Sequence, residues 1–436
     1  MHKPLTPSAT TVLAPRRQLF AWAMFDFANS GYTTVVLTAV FSAYFVNTVA
    51  ASSTNGAATF YWTLVMACAN LVVLVTAPVL GAIADFSGYK KRFLLGTTVG
   101  CVAFTALLST VGRGDLWTAF SIVMIATIMF SSGENFIAAF LPEISPPEHM
   151  GRISGYGWAL GYVGGLLVLG LCLWYVIVAE QQGIPAERYV PVTMLITACS
   201  FAMASAPTFL WLPERASPKH ARVRVNYLRI GFQRVGETFH QGKRFTDLRR
   251  ALIAMTVYHC GIYTVILLAS VYASKVMGFN TRDTIMMILV VNVAGALGAL
   301  IFGQVQDRIG SVKSLIGILL IWTLALLIIV AEQSRSGFWV AANLIGLSMG
   351  ASQAGGRALV GQFAPVDRSA EFFGLWGLAV KLAAIIGPMA YGSIAVLSRG
   401  NHQLALLVTI AFFVAGLAIL TTVDERRGRA AAGTMP

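Results

Sequence analysis

The stretch Gly81-Ala-Ile-Ala-Asp85-Phe-Ser-Gly88-Tyr-Lys90-Lys91-Arg92 recurs as Gly303-Gln-Val-Gln-Asp307-Arg308-Ile-Gly310-Ser-Val-Lys313, each copy directly after a long apolar run. A glycine, an acid four residues on, a second glycine and then basic residues suit a tight charged hairpin between two helices. Other phrases repeat in step with it. Tyr32-Thr-Thr-Val-Val-Leu37 parallels Tyr263-Thr-Val-Ile-Leu-Leu268, Phe140-Leu-Pro142 parallels Phe363-Ala-Pro365, and Gly155 parallels Gly374. The offsets are 231, 222, 223 and 219 residues in chain order, so they differ only by changes of loop length. The chain therefore reads as one helical unit written twice.

The solvent of that unit follows from composition. Of 436 residues 57% are hydrophobic and 11% charged, too few charges to cover a water-soluble surface of this size. A helix needs about 20 apolar residues to cross a bilayer, and twelve segments meet the requirement, the first covering roughly 18–48. Period-2 alternation is absent from them, which argues against strands. The expected fold is all-α: twelve transmembrane helices in two pseudo-symmetric six-helix bundles. The expected boundaries are an N-terminal tail (1–17), a first bundle (18–212), a basic linker (213–249), a second bundle (250–422) and a C-terminal tail (423–436). Arg16 and Arg17 precede a first segment much longer than a signal-peptide core, so it is expected to remain as the first span.

The formal charge of +13 is sorted by side. With the N-terminus inside, 23 of the 31 Lys and Arg lie on the cytoplasmic side and six on the opposite side, while Arg357 and Lys381 lie within spans. This bias places both termini in the cytoplasm. It points to lipid headgroups rather than nucleic acid as the partner of the positive charge. In the linker Leu228, Phe232, Val235 and Phe239 recur at helical spacing among arginines. They suit a helix on the membrane surface that ties the bundles together, with a docking site as the alternative. The five cysteines all fall in apolar segments without metal spacing, as packing residues would. No nucleotide loop, metal cluster or cofactor motif is visible, and catalysis is not expected.

The repeated loop resembles the loop signature of the major facilitator superfamily, and that resemblance implies a central cavity lined by spans 1, 4, 7 and 10. Here span 1 carries Asp26 and Asn29, span 4 Glu134 and Asn135, span 7 His259, and span 10 Gln353 and Arg357, while span 11 adds Lys381. Ionisable groups inside a bilayer are costly unless paired or hydrated, so each is a candidate functional residue. Asp26 can carry a proton, because a desolvated carboxylate binds one more readily; the alternative is a permanently ionised partner of Lys381. His259 titrates near neutrality when free and otherwise serves as a hydrogen-bonded lining residue. Lys381 and Arg357 offer positive charge to an anion, and with Asp26 they suit a zwitterion; the alternative for Lys381 is neutralising an intramembrane acid. Glu134 and Arg357 each precede the repeat's proline by eight residues, so a Glu134–Arg357 pair could close an inner gate, and two unrelated helix-end charges would leave the same pattern. Of the aromatic residues Trp22, Phe25, Tyr32, Trp158 and Tyr162, we expect Tyr32 and Tyr162 to face substrate. The gate is completed by Asp85, Lys91, Arg92, Asp307 and Arg308, as a latch that forms in one conformation.

Longer phrases narrow the family. Phe25-Asp26-Phe27-Ala28-Asn29-Ser30-Gly31-Tyr32, Leu141-Pro142-Glu143-Ile144-Ser145-Pro146-Pro147-Glu148, Gly151-Arg152-Ile153-Ser154-Gly155-Tyr156-Gly157-Trp158 and Glu371-Phe372-Phe373-Gly374 resemble the vacuole-effluxer branch, over about residues 18–422. The resemblance implies efflux of amino acids or similar small polar metabolites. A bacterial-type member would sit in the inner membrane. One departure stands out. Relatives usually read Tyr-Asn-Asp-Gly in span 7, where this chain has Tyr258-His259-Cys260-Gly261, so the acid of that helix is missing. Together these features lead us to expect a monomeric, proton-coupled secondary transporter of a small polar or zwitterionic solute. The alternatives are an exporter of amphipathic drugs or lipids, and a solute sensor that keeps the fold without transport.

Overall fold

The computed structural model describes residues 12–51, 57–215, 231, 233, 244–275, 277–279, 281–332, 334–398 and 402–433. Most of the 213–249 linker, including its proposed surface helix, lies outside them. Twelve long helices follow in order: α1 (Arg16–Val49), α2 (Ala57–Ser87), α3 (Lys90–Leu107), α4 (Leu116–Ala138), α5 (Met150–Gln181), α6 (Ala186–Trp211), α7 (Thr246–Lys275), α8 (Thr281–Ile309), α9 (Ser311–Ala331), α10 (Arg335–Phe363), α11 (Ser369–Leu397) and α12 (His402–Leu420). A short helix, α13 (Glu425–Ala432), closes the chain. Among the described residues nine helices are long and apolar enough to cross a membrane, and a tenth counts if α12 and α13, bent by 67°, are taken as one span. Helix α10, which carries Gln353, Arg357 and Gln362, is not among the nine.

Helices α1 to α6 pack chiefly on one another, as do α7 to α12. The two halves meet along α2 with α11 and α5 with α8, flanked by α5–α10 and α4–α11 contacts. Alternation of direction puts both chain ends and the α2–α3, α4–α5, α8–α9 and α10–α11 turns on one side, here called the terminal face. The repeated loop makes its two turns with the second glycine of each copy. Gly88 has φ 69° and Gly310 φ 96°, a region that residues with a Cβ adopt only under strain.

Helix α1 is not the uninterrupted α-helix that its hydrophobicity suggests. It winds as a π-helix over Tyr32–Ala39 and again over Phe45–Val49. Threonine hydroxyls accompany the change: Thr38 Oγ1 donates to Thr33 O five residues back at 2.8 Å, and Thr34 Oγ1 to Gly165 O of α5 at 3.2 Å. All five cysteines are free. Cys101, Cys172 and Cys260 are buried as expected of packing residues, Cys68 is half-buried, and Cys199 is exposed.

Candidate functional site: the charged seam between the halves

Each copy of the loop reaches across to the opposite half. The Asp85 carboxylate accepts from the N–H groups of Ala370 (3.2 Å) and Glu371 (2.8 Å), at the start of α11. Asp307 does the same to Gly151 (2.8 Å) and Arg152 (3.2 Å), at the start of α5. A helix N-terminus leaves unpaired N–H donors and a partial positive charge, so an acid is the natural cap. Neither cap survives separation of the halves at this face. The conformation described here is therefore closed at the terminal face.

The bases of the latch are not those expected from the sequence. Lys90 is the central one: its Nζ lies 3.0 Å from Asp85 and donates to Glu143 Oε1 and to Ser369 Oγ, both at 2.6 Å, with the ammonium fully buried. Lys91 instead works within the first half, donating from its backbone N–H to Glu214 (2.7 Å) and from Nζ to Leu212 O (2.5 Å). Arg92 lies over the Tyr89 ring at 4.3 Å and is exposed, as is Arg308. The second copy replaces the buried charge with a neutral chain. Gln306 donates to Ser311 (2.7 Å), Ser311 to Gln362 (2.8 Å), and Gln362 to Pro147 O of the other half (2.9 Å).

Deeper in the seam the intramembrane charges pair, but with exchanged partners. Arg357 of α10 lies 2.8 Å from Asp26 of α1, and Lys381 of α11 lies 4.0 Å from Glu134 of α4. The Glu134–Arg357 pair weighed for an inner gate and the Asp26–Lys381 pair weighed as the alternative for Asp26 are thus replaced by Asp26–Arg357 and Glu134–Lys381. Which charges meet depends on the rotation of each helix about its axis, at about 100° per residue, so equal distance from a proline does not fix it. The two pairs bridge the halves side by side, α1 to α10 and α4 to α11. Both acids belong to the first half and both bases to the second.

Arg357 is held on every side. Its Nε donates to Ser154 Oγ (3.0 Å) and Nη2 to Ser154 O (2.9 Å), while the guanidinium stands 4.6 Å from the Trp22 ring centre and 5.6 Å from that of Trp158. Gly157 makes room for the pair: a Cβ there would overlap Asp26 Oδ2 and approach Arg357 Nη2 to 2.7 Å. This is a buried, charge-assisted bridge from α10 to α1 and α5.

The remaining candidates differ in their surroundings. Asn29 is buried one turn after Asp26, and Gln353 is half-buried one turn before Arg357. The Tyr162 hydroxyl is buried without a hydrogen-bond partner among the described residues, its ring positioned against Gly295 of α8 and 6.2 Å from the Trp158 ring. Tyr32 differs from expectation: it is fully buried and bonded to Thr127 Oγ1 at 2.9 Å, a tie between α1 and α4 rather than a substrate contact. His259 is buried, stacked on Tyr258 (4.7 Å), with Nδ1 2.9 Å from Met255 O. A carbonyl only accepts, so Nδ1 carries the hydrogen there.

Lys90, Glu143, Ser154 and Ser369 were the residues missed. Lys90, Glu143 and Ser154 lie within the phrases quoted above, and an acid in a Leu-Pro-Glu turn after a membrane helix is a usable signal; Ser369 carries none. Two further acids cap helices within each half. Glu214 after α6 accepts from Lys91 N–H at the start of α3, and Glu425 after α12 accepts from Val312 N–H at the start of α9 (3.1 Å), equivalent caps in the two halves.

Comparison with known proteins shows the family and the fold. The family model described as "Vacuole effluxer Atg22 like" matches residues 48–433. The chain is 28% identical over 414 residues to the uncharacterized MFS-type transporter YxiO of Bacillus subtilis, covering 94% of this chain and 95% of that protein. It is 24% identical over 301 residues to autophagy-related protein 22-1 of Neosartorya fischeri, covering 64% of this chain and 49% of the fungal protein. In structure it is similar to the human organic anion transporter MFSD10, with a TM-score of 0.73 at 16% identity over 93% of this chain and 99% of that one. With this fold, this latch and these relatives, the chain belongs to the vacuole effluxer Atg22-like family, as a multi-pass membrane transporter of the major facilitator superfamily and not an enzyme.

Proposed function

We propose that this transporter exports a small zwitterionic solute of amino-acid type by alternating access, in exchange for protons. The observation that carries the reading is the 2.8 Å Asp26–Arg357 pair, an acid and a base buried on opposite halves of the molecule. A carboxylate so placed links its own protonation to whether the halves hold together. Acids on one wall of the seam and bases on the other suit a solute with both charges, and membership of an effluxer family supports export. The positive-inside bias supports a cytoplasmic terminal face in a bacterial inner membrane.

In this cycle Asp26 takes a proton from outside while the terminal face is shut. Its carboxylate loses its charge, Arg357 keeps only Ser154, and the Asp85 and Asp307 caps release as the halves part on the cytoplasmic side. Solute binds there and the proton leaves to the cytoplasm. The Asp26–Arg357 pair re-forms and the solute departs outward. His259, with Nδ1 engaged by Met255, lines the cavity and takes no part in proton transfer.

Proteoliposomes with an acidic lumen test this. Accumulation of radiolabelled amino acids that disappears with nigericin and in Asp26→Asn is expected. Accumulation indifferent to both removes the proton from the reading, and tight binding without flux would make the protein a sensor.

A further inference from the structure

The two charge pairs are built for different tasks. Arg357 makes three polar contacts of 2.8–3.0 Å, with side-chain exposures of 4% for Arg357 and 12% for Asp26. Glu134 and Lys381 stand 4.0 Å apart, beyond hydrogen-bond reach, and the Glu134 side chain is 34% exposed. Among the described residues neither makes a hydrogen bond. A Lys ammonium carries three donors and a carboxylate about four acceptor positions, so nearly all the bonding capacity of this pair is unused. Both side chains are long, and they can part around a ligand without backbone movement. They also stand on opposite halves, α4 and α11, so a molecule held by both spans the seam.

We infer that Glu134 and Lys381 are the clamp that reads the two ends of the solute: Glu134 binds its ammonium and Lys381 its carboxylate, replacing their direct contact. The inference rests on the zwitterionic reading of the solute. It assigns Glu134 to recognition rather than to the gate, and leaves Asp26–Arg357 as the lock. It also fixes the orientation of the solute, cation toward the first half and anion toward the second. A ligand lacking either charge leaves one clamp residue facing the other across an unfilled gap, and so loses affinity on that side alone.

Binding to the purified full-length protein tests this with the twenty proteinogenic L-amino acids and, for the tightest, its N-acetyl derivative (no ammonium) and its amide (no carboxylate). The wild type is expected to bind both derivatives at least tenfold more weakly than the parent. Glu134→Gln should weaken the parent amino acid at least tenfold, cease to discriminate against the N-acetyl derivative and still reject the amide. Lys381→Gln should give the reverse pattern. Glu134→Asp, which keeps the charge and shortens its reach, should retain the wild-type order of preference and covers the case in which Glu134→Gln does not fold. A wild type that binds an amino acid while the folded variants keep its affinity, or lose discrimination equally against both derivatives, overturns the clamp and leaves the zwitterionic reading standing. A wild type that binds none of the twenty overturns that reading and the clamp with it.

Discussion

Replacing Arg357 by glutamine should unlock the terminal face. At 2.8 Å the Asp26–Arg357 attraction is on the order of 6 kcal/mol for an effective dielectric of 20, and desolvation of both groups offsets part of it. Removing one member of a buried pair typically costs about 3–5 kcal/mol, because the other is left uncompensated. The substitution also deletes two bonds to Ser154, which are made across the halves and vanish when the face opens. Since the lost interactions exist only in the closed state, most of the cost falls on closing. About 3–4 kcal/mol moves the closed-to-open ratio by roughly a hundred- to thousandfold. Spin labels at Arg92→Cys and Lys313→Cys, exposed on this face in opposite halves, would read the change in a background without native cysteines. The wild type should give one short distance and Arg357→Gln a population at longer separation. If the two distributions coincide, Arg357 is not a lock and the reasoning fails.

Other substitutions address separate parts of the account. Gly81→Val should prevent closure of the same face, since a Cβ at Gly81 already meets the Ala370 carbonyl oxygen; the same label pair should report a permanently open terminal face and transport should be abolished. Lys90→Ala leaves the Asp85 and Glu143 carboxylates buried near each other, and we expect about 3–5 kcal/mol less stability, seen as a lowered thermal unfolding midpoint. Tyr32→Phe removes one neutral hydrogen bond to Thr127 and should cost about 0.5–1.5 kcal/mol while solute affinity stays the same. His259→Gln should leave the pH profile of transport where it is, whereas Asp26→Asn should flatten it; a shifted profile in His259→Gln would return that residue to the proton path.

Much of this architecture is written in the chain because bilayer and repeat are blunt constraints. Twelve apolar runs, a duplicated Gly-Asp-Gly-base hairpin and four intramembrane charges leave few alternatives, and the helix-capping role of Asp85 and Asp307 follows from what a short acidic hairpin can do. The partners of Asp26 and Glu134 were not legible. They depend on the rotation of α1, α4, α10 and α11 about their axes and on how the two halves are set against each other, neither of which leaves a local pattern. The choice of Lys90 over Lys91 and Arg92 has the same origin, since consecutive helical residues point about 100° apart and only one of three faces the seam. Tyr32 looked like a lining residue because it lies on the charged helix, yet its hydroxyl is spent on Thr127. The π-helical winding after it is accompanied by threonine bonding and a contact with α5, neither of which leaves a mark in hydrophobic periodicity.

The most direct measurement of the central claim is proton movement driven by solute alone. In sealed proteoliposomes with a pH-sensitive dye in the lumen and no imposed pH gradient, adding an amino acid outside should make the lumen more alkaline as protons leave in exchange, and Asp26→Asn should abolish the signal. Amino-acid entry with an unchanged or acidified lumen would contradict exchange through Asp26.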